Sequence, residues 1–386
     1  MQPANTSFNL NQSDIRNAQG LTLVELMVAM VISIIVGIAI FEVFAQTEFG
    51  YLHNRGTGDI VNADRHALHV VSTYLSNAGY GMAGLPGCQT TYTYQNGAIT
   101  PVSAITVSPG GAPTTSAAPQ PVSLTINLSA SQFAGVPIGQ MVQSPSPSAT
   151  NFHLNSQPGA GTTCQTSIQS GDTLIAAFSG GTCGMVVATN TPSSQQGACV
   201  INFAPGRNPN NPPGGFSSLI PNLTAADMAA AQVYDVGNGQ LSSLTFSVVP
   251  GTAAAPGQLQ LSSGGGTPAL FAQGIDDLQV LFGYNTTGGQ SVTSYGYFPT
   301  PQQLSSNPNL ISDIRTVMVV MVAQSGLKTA GTVTPGQLLL IPAIPASESV
   351  TGADLPAVYY QPPAGVNSEQ FNVMRTTVPV MNLIWH

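Results

Sequence analysis

Charge is what this 386-residue chain has least of: Asp, Glu, Lys and Arg together make up 6% of it, against about 25% in ordinary soluble domains. Lys328 is its single lysine, and the formal net charge is −8. A chain so poor in cations has no basic stripe with which to neutralise phosphates, so no nucleic-acid partner is expected. Gly, Ser, Thr, Asn, Gln and Pro stand in place of the missing charges, which suits turn-rich β structure and long surface loops. The composition is that of a secreted or surface protein rather than a cytosolic enzyme.

Catalytic signatures are missing too. No G-x-S-x-G elbow, P-loop or H-E-x-x-H occurs, and with them go the commonest nucleophile, phosphate and zinc sites. Gly79-Tyr80-Gly81-Met82-Ala83-Gly84 spells G-x-G-x-x-G, but that pattern holds a dinucleotide only between a strand and a helix. Here it follows a helical pattern and runs into Pro86-Gly87, and it reads as a Gly-capped helix end. His66 and His69 lie three apart on the same helix, near His53 and Asp59. A metal site needs further ligands in a closed geometry, and a polar helix face is the simpler reading. Asp276-Asp277 imitates a paired-carboxylate site, yet neighbours on a strand point to opposite faces; one of the two is a candidate partner for Arg315. No enzymatic activity, cofactor or metal is expected.

Cysteines are few but even in number: Cys88, Cys164, Cys183 and Cys199. None has C-x-x-C spacing or an adjacent His, which disfavours a metal. In an exported region they read as two disulfides, with three possible connectivities. Cys183–Cys199 is the preferred pair because both flank one short loop between strand-like runs, leaving Cys88 with Cys164.

Two further absences define the N-terminus. No proline occurs from Leu21 to Ala78, so no ring clash or missing donor breaks a helix there. No charge occurs from Leu26 to Phe41, and the single carboxylate just before that run is Glu25. Ile60, Ala63, Ala67, Leu68, Val71 and Leu75 then recur at three- and four-residue steps, the mark of an amphipathic helix. The expectation is one long helix of roughly 80 Å at about 1.5 Å per residue, bending or melting near Gly56-Thr57-Gly58. A carboxylate in a lipid-soluble helix is costly and calls for a partner.

Gly20-Leu21-Thr22-Leu23-Val24-Glu25 and the apolar run after it resemble the class III signal of type IV pilins and type II secretion pseudopilins. Leu21 stands where that family usually has Phe. The resemblance implies that a prepilin peptidase cuts between Gly20 and Leu21 and methylates the new amino terminus. It also implies that Glu25 pairs with the amino terminus of a neighbouring subunit during assembly. A secretory signal peptide fits less well, since Arg16 is offset by Asp14 and no Ala-x-Ala closes the apolar run. A plain anchor spanning about 30 Å would leave Glu25 unexplained.

The segments Arg65-His66-Ala67-Leu68 to Leu75, Ala78-Gly79-Tyr80 and Cys88 are similar to the PilW-type minor pilins, as are Gly274–Val280, Ile314–Val322 and Arg375–Leu383. The similarity leaves the middle of the chain unmatched. It implies an α+β fold: a long N-terminal helix packed on a β-rich, largely antiparallel head with long loops. The implied organisation is a leader over 1–20, the helix over 21–82 with 21–41 in the membrane or filament core, and a periplasmic or extracellular head over 83–386. The implied role is a minor pilin that primes or caps pilus assembly at the tip. Its partners would be the prepilin peptidase, other minor pilins, the major pilin and a tip adhesin. Before assembly it would sit in the inner membrane, head in the periplasm. A type II secretion minor pseudopilin shares the same N-terminal features, and a membrane-anchored surface binding protein or enzyme outside any filament is the third reading.

Within the head, alternating or apolar runs predict strands over 122–128, 172–178, 184–188, 241–249, 274–284, 313–324 and 371–383. Asn222–Met228 predicts a short helix capped by Asn222 or Thr224, and Ser263–Gly266 a hairpin turn. Residues 89–160 are rich in Pro, Ser and Thr, with short runs of which 122–128 is the example, and their fold stays open.

Overall fold

A single helix, α1 (Leu23–Ser76), runs unbroken through Gly56-Thr57-Gly58 in the computed structural model. That structure describes residues 22–82, 88, 90–95, 97–113, 120–129, 137–142, 146–155, 164, 168–179, 181–195, 198–238, 242–252, 255–300, 303–304, 307–327, 336–366 and 368–381. The helix does not melt at the glycines, and Gly56 is buried against the head: a Cβ there would lie 2.9 Å from Ser325 Oγ. Next to it Thr57 Oγ1 donates to Gln370 Oε1 (2.8 Å). The backbone ladder and these contacts outweigh the roughly 1 kcal/mol that each glycine costs a helix. The chain divides into two compact units at Arg55/Gly56, inside α1.

Beyond α1, turns over Asn77–Met82 carry Gly79 and Gly81 at positive φ, the conformation glycine supplies at a helix end. Ten short strands follow. The first six are β1 (Thr90–Gln95), β2 (Ala98–Val102), β3 (Ile105–Ser108), β4 (Ser123–Leu128), β5 (Pro137–Val142) and β6 (Asn151–Asn155). The next four are β7 (Asp172–Ala177), β8 (Thr182–Val187), β9 (Ser193–Gln195) and β10 (Ala198–Asn202). Helices α2 (Phe216–Leu219) and α3 (Ala225–Ala230) come next, α3 with a reciprocal Thr224/Asp227 capping box. Then come β11 (Gln232–Asn238), β12 (Ser242–Val249), β13 (Gln258–Ser263), β14 (Ala269–Gln273) and β15 (Ile275–Tyr284). The last are β16 (Ser294–Gly296), β17 (Ile314–Gln324), β18 (Leu338–Ile341), β19 (Val358–Tyr360) and β20 (Phe371–Pro379).

These strands form a nine-stranded sheet (β2-β1-β8-β7-β11-β5-β6-β10-β9), a five-stranded sheet (β14-β13-β12-β4-β3), a four-stranded sheet (β16-β15-β17-β20) and the pair β18-β19. All pairings are antiparallel except β1 with β8. The segment 89–160, in which only 122–128 reads as a strand from sequence, supplies six strands. Their shortness and polar outward faces hid the alternation, and proline survives in them at an exposed edge (Pro101 in β2) and at a strand start (Pro137 in β5), the places that need no ladder donor.

The main core joins the lower half of α1 to two sheets. Ile60, Ala67, Leu68, Val71 and Leu75 pack with Leu124, Ile126 and Phe246 of the five-stranded sheet. The same cluster takes in Leu278, Val280, Phe282, Val317 and Val319 of the four-stranded sheet. A register shift between Ile275 and Asp277 marks a bulge in β15, and it lets Ile275 and Leu278 both face α1. The opposite face of β15 and β17 buries Leu281, Val320 and Val322 under Leu340, Ile341, Leu355 and Tyr360, so both strands are covered on two sides.

Arg315 is not placed to meet Asp276 or Asp277. It sits beside Tyr284 at the far end of the β15/β17 pair, where its guanidinium donates to the carbonyls of Gly289 (2.9 Å) and Ser312 (2.6 Å).

Asp64 is fully buried on α1, one turn from both Ile60 and Leu68, and neither carboxylate oxygen has a hydrogen-bond partner. Burial pushes its pKa up to about 7. The unfolded chain gives up this proton near pH 4 and the folded chain only near 7, so stability falls as pH rises through that window and levels off above it. Asp64→Asn should therefore stabilise the protein at pH 8 by on the order of 3 kcal/mol and little at pH 4, read from denaturant unfolding of the detergent-solubilised chain. An equal effect at both pH values would contradict this reading.

Candidate functional site: the N-terminal signal and the apolar helix

Gly20 and Leu21, the residues marked for processing, lie outside the described residues. The first described residue, Thr22, starts α1: its carbonyl accepts from Leu26 N–H (3.1 Å). Its own N–H and Oγ1 both donate to Glu25 Oε2 (2.9 Å each), and Glu25 N–H donates back to Thr22 Oγ1 (3.3 Å). This is a capping box, which satisfies donors that a helix start leaves unpaired. It also holds the carboxylate at the positive end of the helix dipole. Read only as a partner for another subunit, Glu25 hides this local role. The Thr-x-x-Glu spacing ahead of an apolar run is its signal.

Beyond Glu25 the next charge is Glu42. Every side chain from Leu23 to Phe44 is exposed in the lone chain, Leu23 at 77% and Phe41 at 75%. An all-round apolar helix left uncovered in water would be unstable, since each such side chain loses about 1.5–3 kcal/mol of burial. Among the described residues, α1 is the helix long and apolar enough to cross a membrane.

All four cysteines are bonded, but as Cys88–Cys183 and Cys164–Cys199, not in the expected pairing. Cys183 lies on β8 and Cys199 on β10, and four strands (β7, β11, β5 and β6) stand between them in the sheet. Closeness along the chain does not survive that strand order. Instead Cys88 joins the segment leaving α1 to β8, beside the parallel β1/β8 pairing. Cys164 ties the stretch after β6 to β10.

The other marked polar residues have structural surroundings. His66 stacks on Phe271 with ring centroids 5.9 Å apart. Asp276 accepts from Gly251 N–H (3.0 Å), Gly257 N–H (2.8 Å) and Tyr360 Oη–H (2.7 Å), and so ties three segments together. Asp277 accepts from Leu278 N–H (2.8 Å) and Gln279 Nε2 (2.9 Å), and burial pushes its pKa up to about 7. Each carboxylate has its own donors. Among the described residues no group of three or more His, Cys, Asp or Glu side chains is arranged to hold a metal ion.

Residues 15–41 match the family model described as the prokaryotic N-terminal methylation motif. No curated protein matches the chain. Among solved structures it is similar to "Type IV-like pilin TTHA1219 from Thermus thermophilus", at 14% sequence identity and a TM-score of 0.21, over 38% of this chain and 70% of that one. Likeness that slight carries no argument. The motif match does: residues 15–41 carry a prepilin-type N-terminal methylation signal leading into an apolar helix, and a β-rich head lies beyond it.

Removing either disulfide should cost about 2–5 kcal/mol. Loop closure makes the Cys88→Ala/Cys183→Ala variant the weaker one, because its cysteines are 95 residues apart against 35. Non-reducing peptide mapping together with thermal unfolding of the two double variants checks both the pairing and the order.

Proposed function

We propose that this protein is a minor pilin of a type IV pilus, of the PilW type, cut after Gly20 by a prepilin peptidase and methylated at Leu21. The observation that supports this reading best is the methylation-motif match over residues 15–41. It falls on the same stretch as the uncovered apolar helix and its single carboxylate. The helix has two environments that suit it, lipid before assembly and equivalent helices afterwards.

Cleavage would free an amine at Leu21, next to Thr22 and within one helical turn of the capping box. In the membrane Thr22 gives the Glu25 carboxylate its hydrogen bonds but no counter-charge. In a filament a neighbour's amino terminus supplies that charge. The pair then forms only when two helices are offset correctly along the axis, and so fixes subunit register. The head, with its low charge, would be carried at the tip, where minor pilins prime assembly alongside the major pilin and a tip adhesin.

Two measurements test this. Glu25→Ala should leave a stable membrane protein, while loss of a charge-assisted bond worth about 1.5–3 kcal/mol lowers its content in sheared pili by about tenfold or more; normal incorporation would overturn the register role. In a deletion strain, surface pili counted by electron microscopy should fall while secreted enzyme activity stays normal, with partial recovery when the retraction motor is also removed. Normal pili with lost secretion would move the protein to the type II secretion machine. If neither changes, assembly is the wrong class of function.

A further inference from the structure

The head has a cavity of about 320 Å³, at the small end of the roughly 300–1,000 Å³ range of small-molecule sites. β1, β2, β7 and β8 of the nine-stranded sheet wall one side; β3, β4, β12 and the β13–β14 turn wall the other. Its lining contains no ionisable side chain and no aromatic ring. Thr93, Gln95, Thr100, Thr106, Asn210 and Ser243 bring hydroxyls and amides to it from both sides. None of these six side chains makes a hydrogen bond to the described protein. Other polar groups in the lining are already committed, as Thr125 is to Thr245 (2.8 Å) and Asn127 to the Ser103 carbonyl (2.8 Å). Val102, Met185 and Val187 add an apolar strip.

This lining selects a ligand by exclusion and by match. A phosphate, carboxylate or ammonium would be desolvated without an opposite charge, which is costly. A nucleobase would find no ring to stack on. Threonine and serine hydroxyls both donate and accept, as sugar hydroxyls do, and the aliphatic strip suits the C–H face of a sugar ring. We propose that the cavity binds a neutral saccharide, one or two rings of a glycan. The site does not depend on α1 or on the filament reading.

The test uses the full chain in lipid nanodiscs, so that sugar-headed detergents do not compete. Lactose, maltose and cellobiose are titrated by saturation-transfer NMR, with sialyllactose and glucose 6-phosphate as charged counterparts. At least one neutral sugar should bind in the millimolar range or tighter, and the charged probes should bind at least several-fold more weakly. Thr93→Val combined with Thr106→Val removes two hydroxyls while keeping β-branched strand residues, and affinity should fall by about tenfold with an unchanged melting temperature. If that pair disturbs the fold, Thr100→Val on the exposed edge strand β2 replaces it and should weaken binding by about threefold. No titration with any neutral sugar, equal binding of charged and neutral probes, or unchanged affinity in the folded variants would overturn the proposal.

Discussion

One helix has to satisfy two unlike surroundings, and the head is built around the half that meets protein. Ile60, Ala67, Leu68, Val71 and Leu75 present an apolar stripe that no single sheet here covers. Two sheets share it, and each contributes the alternate residues of its inner strands. With charge at 6% of residues, salt bridges can do little to fix the arrangement; shape and burial must. Asp64 is an exception on that stripe, a carboxylate placed where packing wants a carbon chain. Its burial trades stability at neutral pH for a feature whose role the packing does not require.

The four-stranded sheet shows how the same logic spreads outward. β15 and β17 are buried on both faces, one against α1 and the other under the segment from β18 to β19. The bulge near Asp276 turns the strand so that both faces are filled, and Asp276 accepts three donors from segments that pass nearby. The nine-stranded sheet is a second body of core, with Phe152, Phe203 and Phe216 at its centre. Both disulfides fasten to it, one from the chain leaving α1 and one from the stretch after β6.

Sequence reasoning reached the helix and the late strands because their signals are long and strongly periodic. The absence of proline over residues 21–78, the three-and-four spacing of the stripe, and the apolar runs of β15 and β17 each leave few alternatives. Glycines 56 and 58 misled because propensity is local while Gly56 is held by Ser325 and Gln370, far along the chain. The middle of the head stayed illegible for a related reason: β1 to β6 are four to six residues each, too short for periodicity to separate strand from loop. Cysteine pairing depends on strand order, which nothing in the spacing of Cys183 and Cys199 encodes. At the candidate site Glu25 stood out by its charge, whereas Thr22, an ordinary polar residue, needed the capping pattern to be seen.

The order in which the main core becomes available follows from where its pieces lie along the chain. Ile60 and Leu75 come early, while Val317, Val319, Val378 and Val380, which belong to the same cluster, come more than two hundred residues later. Contacts of such separation make a domain slow to fold. As the polypeptide is synthesised, Leu124, Ile126 and Phe246 of the five-stranded sheet can reach the stripe on α1 first, and the rest of it waits until almost the last strand has arrived. Until then the part-covered stripe is the segment most exposed to aggregation.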